Sequence, residues 1–317
     1  MILKTEKLKK VFKGKKGVVE SVKDVTIEVR QGEIFGFIGP NGAGKTTTMR
    51  MLTTLLQPTS GKVTIAGHDL IKEPHAIRQK VGYVSQSGGL DPYTSAHENI
   101  VFQAQLYGAS KVQAYNRAQE LIQTLALESF AQRPVSTYSG GQKRRVDIAL
   151  ALVHHPLLVF LDEPTTGLDP QSRAHLWQEL KKIRSQGTTI FLTTHYLDEA
   201  DALCDRIAII DHGTIVTQGI PQTLKRQIAG DIVTLGCATI AYKDLEGLIK
   251  GQPFVKEIHE SKEGLRVSVD QGETALVHLV RLLDNAHIPV QNISLSRPTL
   301  DDVFLKQTGR SLREDTV

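Results

Sequence analysis

Residues 18–29, VVESVKDVTIEV, alternate apolar and polar side chains with a period of two, the pattern of a half-buried strand. EIFGFI (33–38), LLVFL (157–161) and TTIFLTT (188–194) carry apolar residues in unbroken runs instead. Strands buried on both faces, as in a parallel sheet covered by helices, read this way. Further strands are predicted over 61–70, 80–86 and 206–211. Between them the spacing becomes helical, predicting helices from about Lys45 to Leu55, across 94–127 in two pieces, over 142–153 and over 171–185. In HENIVFQAQLYG (97–108) this spacing puts Ile100, Phe102, Leu106 and Tyr107 near one face. Strands alternating with helices predict a doubly wound α/β core.

Near Pro221 the texture changes. Residues 231–296 read as strand (231–236), helix (243–250), two strands (254–259 and 264–269), helix (273–286) and strand (288–296). This βαββαβ order suits a small α+β, ferredoxin-like domain. Residues 297–309 add a closing helix with Thr299 as its N-cap. Two domains are therefore expected, 1–220 and 221–317. The chain length of 317 residues agrees, since one hydrophobic core stops growing near ~250–300 residues.

Composition narrows the class. With 40% apolar and 23% charged residues the chain reads as globular rather than disordered. The two cysteines, Cys204 and Cys237, match no metal spacing and read as small buried hydrophobes of a reduced protein. No apolar run approaches the ~18–20 residues of a membrane-crossing helix, and MILKTEKLKK lacks the apolar segment of a secretory signal. The net charge of +4 is uneven: residues 1–30 carry +5 and the remainder −1. Most of the excess lies in KLKKVFKGKK (7–16), either a solvated hairpin tip around Gly14 or an attraction for nucleotide or an anionic membrane surface. A nucleic-acid partner would call for a broader basic face, so none is expected.

The chemistry begins where the first buried strand ends. Gly39, Pro40, Asn41, Gly42, Ala43, Gly44, Lys45, Thr46 and Thr47 contain glycine, four residues, then Gly-Lys-Thr, the phosphate-loop pattern. Glycines let successive backbone N–H groups turn inward around phosphates, and the helix beyond adds partial positive charge. Lys45 is placed to reach the β- and γ-phosphates of a nucleotide, and Thr46 to offer its hydroxyl to Mg²⁺. Asp162 and Glu163 follow LLVFL, so a buried strand delivers both to the same sheet edge. Asp162 is the candidate metal residue, and Glu163 the candidate for polarising the water that attacks the γ-phosphate. Gln86 and His195 end two more strands at that edge, Gln86 within reach of metal or water and His195 of the γ-phosphate or the water. A second glycine-rich helix start, SGGQ (Ser139, Gly140, Gly141, Gln142), stands in a chain with only one lysine-bearing phosphate loop and so invites a partner's nucleotide. His154 and His155 read as surface or helix-end residues with no ligand role.

The phosphate loop, Gln86, SGGQ, LDEP, GLDP and His195, in that order, resemble the ATP-binding cassette (ABC) ATPases over residues 1 to about 220. The resemblance implies a phosphate-loop fold with a parallel sheet core, an antiparallel β subdomain and a helical subdomain. It implies ATP and Mg²⁺ as ligands and a head-to-tail dimer with a second copy or a paralogue. In such a dimer Ser139, Gly140, Gly141 and Gln142 would meet the γ-phosphate in trans, and Asp169 would cross the interface. Phe12 matches the place of the aromatic that stacks on adenine; an aromatic packed in the hairpin is the other reading there. Tyr138 departs from the leucine usual before SGGQ. PTLDDVFLKQTGR (298–310) and ALALVHHPLLVFLDEPTTGLDP look like the daunorubicin-resistance type of ABC export ATPase. That branch implies a peripheral subunit on the cytoplasmic face of the cell membrane that drives a separate multi-span permease, docked through SGGLDPYTSAHEN (87–99). A cassette ATPase acting on nucleic acid or ribosomes is the alternative. The absence of sustained heptads over 47–138 and the single phosphate loop weigh against it.

Overall fold

The computed structural model describes residues 1–14, 17–228, 230–236, 242–261, 264–288 and 291–308. They form two compact units, Met1–Gly219 and Ile220–Val317. The first unit contains β1 (Leu3–Gly14), β2 (Gly17–Val25), β3 (Glu28–Val29), β4 (Ile34–Ile38), β5 (Ser60–Ile65), β6 (His68–Asp69), β7 (Val81–Val84), β8 (Leu158–Asp162), β9 (Thr189–Thr194), β10 (Arg206–Asp211) and β11 (Thr214–Gly219). They join in one sheet, in the order β6-β5-β1-β2-β11-β10-β4-β9-β8-β7, with β3 paired to β1.

The sheet has two textures. β10, β4, β9, β8 and β7 are parallel. Every residue of β4, β8 and β9 is buried, which explains the unbroken apolar runs. Phe35, Phe191 and Phe160 stand in register across three neighbouring strands. Phe191 sits at the centre of this aromatic row, 5.4–5.6 Å from the rings of Phe35, Phe37 and Phe160. The other part, β6, β5, β1 and β2, is antiparallel, and its alternating sequences leave one face wet. β1 and β2 pair out to Gly14 and Gly17. Lys15 and Lys16 of the basic run lie outside the described residues.

The helices of this unit are α1 (Lys45–Leu52), α2 (Pro74–Arg78), α3 (Ala96–Leu106), α4 (Lys111–Thr124), α5 (Gly140–Leu152), α6 (Pro170–Ser185) and α7 (Leu197–Leu203). Capping boxes start α3, α4 and α5 at Ser95, Ser110 and Ser139. The expected apolar face of α3 is corrected. Ala96, Asn99, Ile100 and Ala104 face inward, whereas Phe102 and Leu106 are 62% and 65% exposed. Phe102 and Leu106 share a face with each other, four residues apart, but not with Ile100 two and six positions away. His154, two residues past the last residue of α5, is a half-buried helix-end residue. Its ring stacks on Tyr107 with centroids 3.9 Å apart, and its Nε2 lies 3.0 Å from the Val81 carbonyl, fastening α3 to the core. Arg117 of α4 caps the end of α5 by donating to the Leu152 and Val153 carbonyls.

The second unit contains α8 (Pro221–Ile228), β12 (Asp231–Gly236), α9 (Tyr242–Ile249), β13 (Val255–Ser261), β14 (Gly264–Val269), α10 (Gly272–Asn285), β15 (Asn292–Ser296) and α11 (Leu300–Thr308). Its sheet is antiparallel in the order β13-β14-β12-β15. Counted within the domain this is 2-3-1-4, the ferredoxin-like arrangement. Val233, Leu235, Val267 and Val269 pack against Leu245, Ile249, Leu279 and Leu283 in a core of its own. Thr299 caps α11 through Asp302. Cys204 is buried and free, while Cys237 lies outside the described residues. Among the described residues no helix is long and apolar enough to cross a membrane.

Candidate functional site

The loop between β4 and α1 folds as its glycines require. Gly44 has φ +106°, and a Cβ there would come within 2.5 Å of the Ser21 carbonyl. At Gly39 a Cβ would come within 2.2 Å of the Ile210 carbonyl. The loop is thus pressed between β2 and β10, and only glycine permits both contacts. Lys45, 5% exposed, turns back over the loop and donates to the carbonyls of Gly39 at 2.7 Å and Pro40 at 3.1 Å. Burial pushes its ammonium pKa down, opposed by the Glu163 and Asp162 carboxylates. Ser21, Asn41, Gly42, Gly44, Lys45, Thr46, Thr47, Gln86 and Glu163 line a cavity of about 210 Å³. Ser21 went unnoticed in the sequence; its hydroxyl donates to Thr47 Oγ1 at 2.9 Å. Only the pairing of β2 beside the loop reveals it.

Glu163 is the hub. Its Oε1 lies 3.6 Å from Lys45 Nζ and 3.3 Å from His195 Nδ1. Its Oε2 accepts from Gln86 Nε2 at 3.3 Å and from Thr166 Oγ1 at 3.2 Å. The backbone there is left-handed, φ +46°, which is uncommon for a residue other than glycine. Its N–H is held by Thr193, through the hydroxyl at 3.0 Å and the carbonyl at 3.2 Å. Burial pulls the Glu163 carboxyl upward, but His195, Lys45 and Thr166 outweigh it, leaving the pKa below the ordinary glutamate value. The group is therefore a carboxylate at neutral pH. Asp162, 2% exposed, accepts from Thr193 Oγ1 at 2.6 Å and lies 3.5 Å from Thr46 Oγ1. Thr46, Asp162 and the Gln86 amide offer hard oxygen donors, the set that suits Mg²⁺. Thr193 and Thr166 were not singled out from sequence. Thr193 is hidden in an apolar run, although its pairing opposite Asp162 follows once β8 and β9 are adjacent.

The remaining candidates lie on other surfaces. Ser139 and Gly140 are exposed at the start of α5. Ser139 and Gln142 close a capping box, with Gln142 N–H donating to Ser139 Oγ at 3.3 Å and Ser139 N–H to Gln142 Oε1 at 3.0 Å. Asp169 is exposed and caps α6, accepting from the Ser172 N–H at 2.9 Å and its hydroxyl at 2.6 Å. The two helix starts adjoin, since a Cβ at Gly141 would lie 3.0 Å from Ser172 Oγ. Tyr138 is buried, its hydroxyl 2.7 Å from the Phe130 carbonyl and 3.0 Å from that of Arg133, and accepting from the Ala96 N–H. Its phenol thus ties the SGGQ start to α3. Phe12 is 42% exposed and pairs across the hairpin with Val19, two residues before Ser21. The Lys10 ammonium sits 5.2 Å from its ring centroid.

Residues 22–166 match the ABC transporter family, and residues 219–308 match the ATP-binding protein DrrA1-3-like C-terminal domain. The chain is 40% identical to the doxorubicin resistance ATP-binding protein DrrA of Mycobacterium tuberculosis, over 92% of this chain and 90% of that protein. It is 37% identical to the linearmycin resistance ATP-binding protein LnrL of Bacillus subtilis, over 99% of this chain and 100% of that one. Identity to the Nod factor export ATP-binding protein I of Paraburkholderia xenovorans is 36%, over 98% and 97%. Among solved structures, a dimeric ATP-binding cassette in a post-hydrolysis state, bound to ADP and Pi, matches with a TM-score of 0.63 and 29% identity, covering 69% of this chain and 98% of that chain.

Proposed function

Because the chain belongs to the ABC transporter ATP-binding family and carries the DrrA-like C-terminal domain, we propose that it powers export through a separate multi-span permease at whose cytoplasmic face it sits. The chain is an ATPase, converting ATP and water to ADP and phosphate. Relatives named for drug resistance and for Nod factor export support the outward direction.

The observation that carries the chemistry is the convergence of Lys45, Gln86, Thr166 and His195 on the single carboxylate of Glu163. The loop 39–47 cradles the phosphates with its N–H groups, and Lys45 neutralises their charge. Phe12 stacks on the adenine. Glu163 accepts a hydrogen bond from the attacking water and turns its lone pair toward the γ-phosphorus. His195 and Gln86 hold that carboxylate and the water in line. Thr46, Asp162 and the Gln86 amide are the residues that would hold Mg²⁺ with the nucleotide, and the ion would supply positive charge to offset that of the phosphates. Closure of the site comes from Ser139, Gly140, Gly141 and Gln142 of a second copy or paralogue, whose helix start faces the γ-phosphate, with Asp169 at the same interface. Residues 87–99 and the groove of about 330 Å³ lined by Tyr83, Gly88, Tyr107 and Asp147 form the permease contact.

Glu163→Gln tests the catalytic assignment. ATP binding is expected to persist and turnover to fall ~10²–10⁴-fold, the contribution of a positioned base. Wild-type turnover in that variant would remove Glu163 from its role.

A further inference from the structure

Arg144 is the one buried arginine among the described residues, 7% exposed, on the second turn of α5. It spends its donors on three main-chain carbonyls. Nη1 donates to Ser85 O at 2.7 Å, Nη2 to Asp162 O at 2.7 Å, and Nε to Pro164 O at 2.9 Å. Burying a guanidinium is costly, and a leucine or methionine would fill the same space without that cost. The choice of acceptors is informative. Asp162 and Pro164 are the residues on either side of Glu163, and Ser85 precedes Gln86. Glu163 itself sits in a left-handed conformation, and such geometry persists only where the surroundings over-determine it. One turn further along α5, Asp147 accepts from the Gly89 N–H at 3.0 Å and holds the far side of the Gln86 loop.

We propose that Arg144 is a positioning residue for hydrolysis: its fork fixes the backbone on both sides of Glu163 and at the root of Gln86, and ties them to the helix that begins at Ser139. This rests on the assignment of Glu163 and Gln86 to the hydrolytic site. Arginine suits the task because its planar fork presents several N–H donors at fixed angles, which lysine cannot do. Nε, Nη1 and Nη2 of Arg144 are each engaged by a main-chain carbonyl beside Glu163 or Gln86, so its effect passes through those residues, Glu163 above all.

The test is a double-mutant cycle on the full chain, with ATP affinity, KM and kcat measured for each variant. Arg144→Lys keeps the charge and loses the fork. Arg144→Gln removes the buried charge and keeps two N–H donors, so it stays informative where the lysine variant folds poorly. In either variant kcat is expected to fall ~10–100-fold, as for a small misplacement of a catalytic group, with ATP affinity within ~3-fold of wild type. In a Glu163→Gln background the same substitution is expected to change the residual turnover several-fold less than it changes wild-type turnover, because the Glu163 base, through which most of its effect passes, has already gone. An undiminished kcat, a matching loss of ATP affinity, or a full multiplicative effect on top of Glu163→Gln would overturn the proposal. Wild-type turnover in Glu163→Gln alone would instead overturn the assignment on which it rests.

Discussion

Glu163 and Glu199 are both withdrawn from water, yet their surroundings push them in opposite directions. Glu163 faces a lysine, a histidine and a hydroxyl and is held below the ordinary carboxyl value; it stays ionised well into the acid range. Its ionisation therefore does not limit hydrolysis near neutrality. Glu199 is fully buried, and burial raises its pKa, only partly offset by Thr194, Thr165, Trp177 and Arg173. Between the ordinary value of 4.5 and the raised one, the folded chain keeps a proton that the unfolded chain has lost. Stability contributed at Glu199 must then fall as pH rises through that window. Glu199→Gln removes the titration while keeping an oxygen to accept from Trp177 Nε1. Urea unfolding at pH 5 and pH 8 should show the variant gaining on wild type at the higher pH; parallel profiles would contradict the raised pKa. Legibility at this scale followed contiguity. The loop 39–47 and the pair 162–163 were readable because their residues adjoin in sequence. Ser21, Thr193 and Arg144 were not, because each acts on residues that only the sheet pairing or a helix contact brings near; Thr166 lies three residues from Glu163, and its contact depends on the turn that carries both.

At the scale of elements, α5 combines two tasks, an exposed start at Ser139 and Gly140 and a buried grip through Arg144. Gly140→Asp separates stability from function. A Cβ at Gly140 meets only Leu168 Cδ2, at 3.6 Å, so the substitution fits. A carboxylate in the first turn of a helix is favourable by ~0.3–1 kcal/mol, so thermal stability should hold or rise slightly. The same charge would repel a phosphate presented by a second chain. Hydrolysis is expected to be lost while ATP binding by the single chain is unchanged; a collapse of single-chain affinity would refute the shared site. The strands β4, β8 and β9 were legible because burial on both faces removes alternation. The inward face of α3 was misjudged because Phe102 and Leu106 are large apolar residues on the outside, where small Ala96 and Ala104 do the packing. Short helices such as α2 and α7 carry too few residues for a period to show, and only their neighbours define them.

For the whole molecule, the order of motifs spoke earlier than any single element. Lys45, Gln86, Asp162, Glu163 and His195 meet at one sheet edge, whereas the SGGQ helix start finds a nucleotide only in the proposed pairing of two chains. The second unit has its own core and a sheet order that follows the βαββαβ pattern. The proposed export runs through a separate membrane-spanning partner; no helix among the described residues is long and apolar enough to cross a membrane. The most direct measurement is purification of the tagged full chain from its native membranes in mild detergent, with co-purifying proteins identified by mass. The account predicts a multi-span membrane protein at near-equal stoichiometry. Recovery only in the soluble fraction, with ribosomes or nucleic acid in place of a membrane protein, would contradict it.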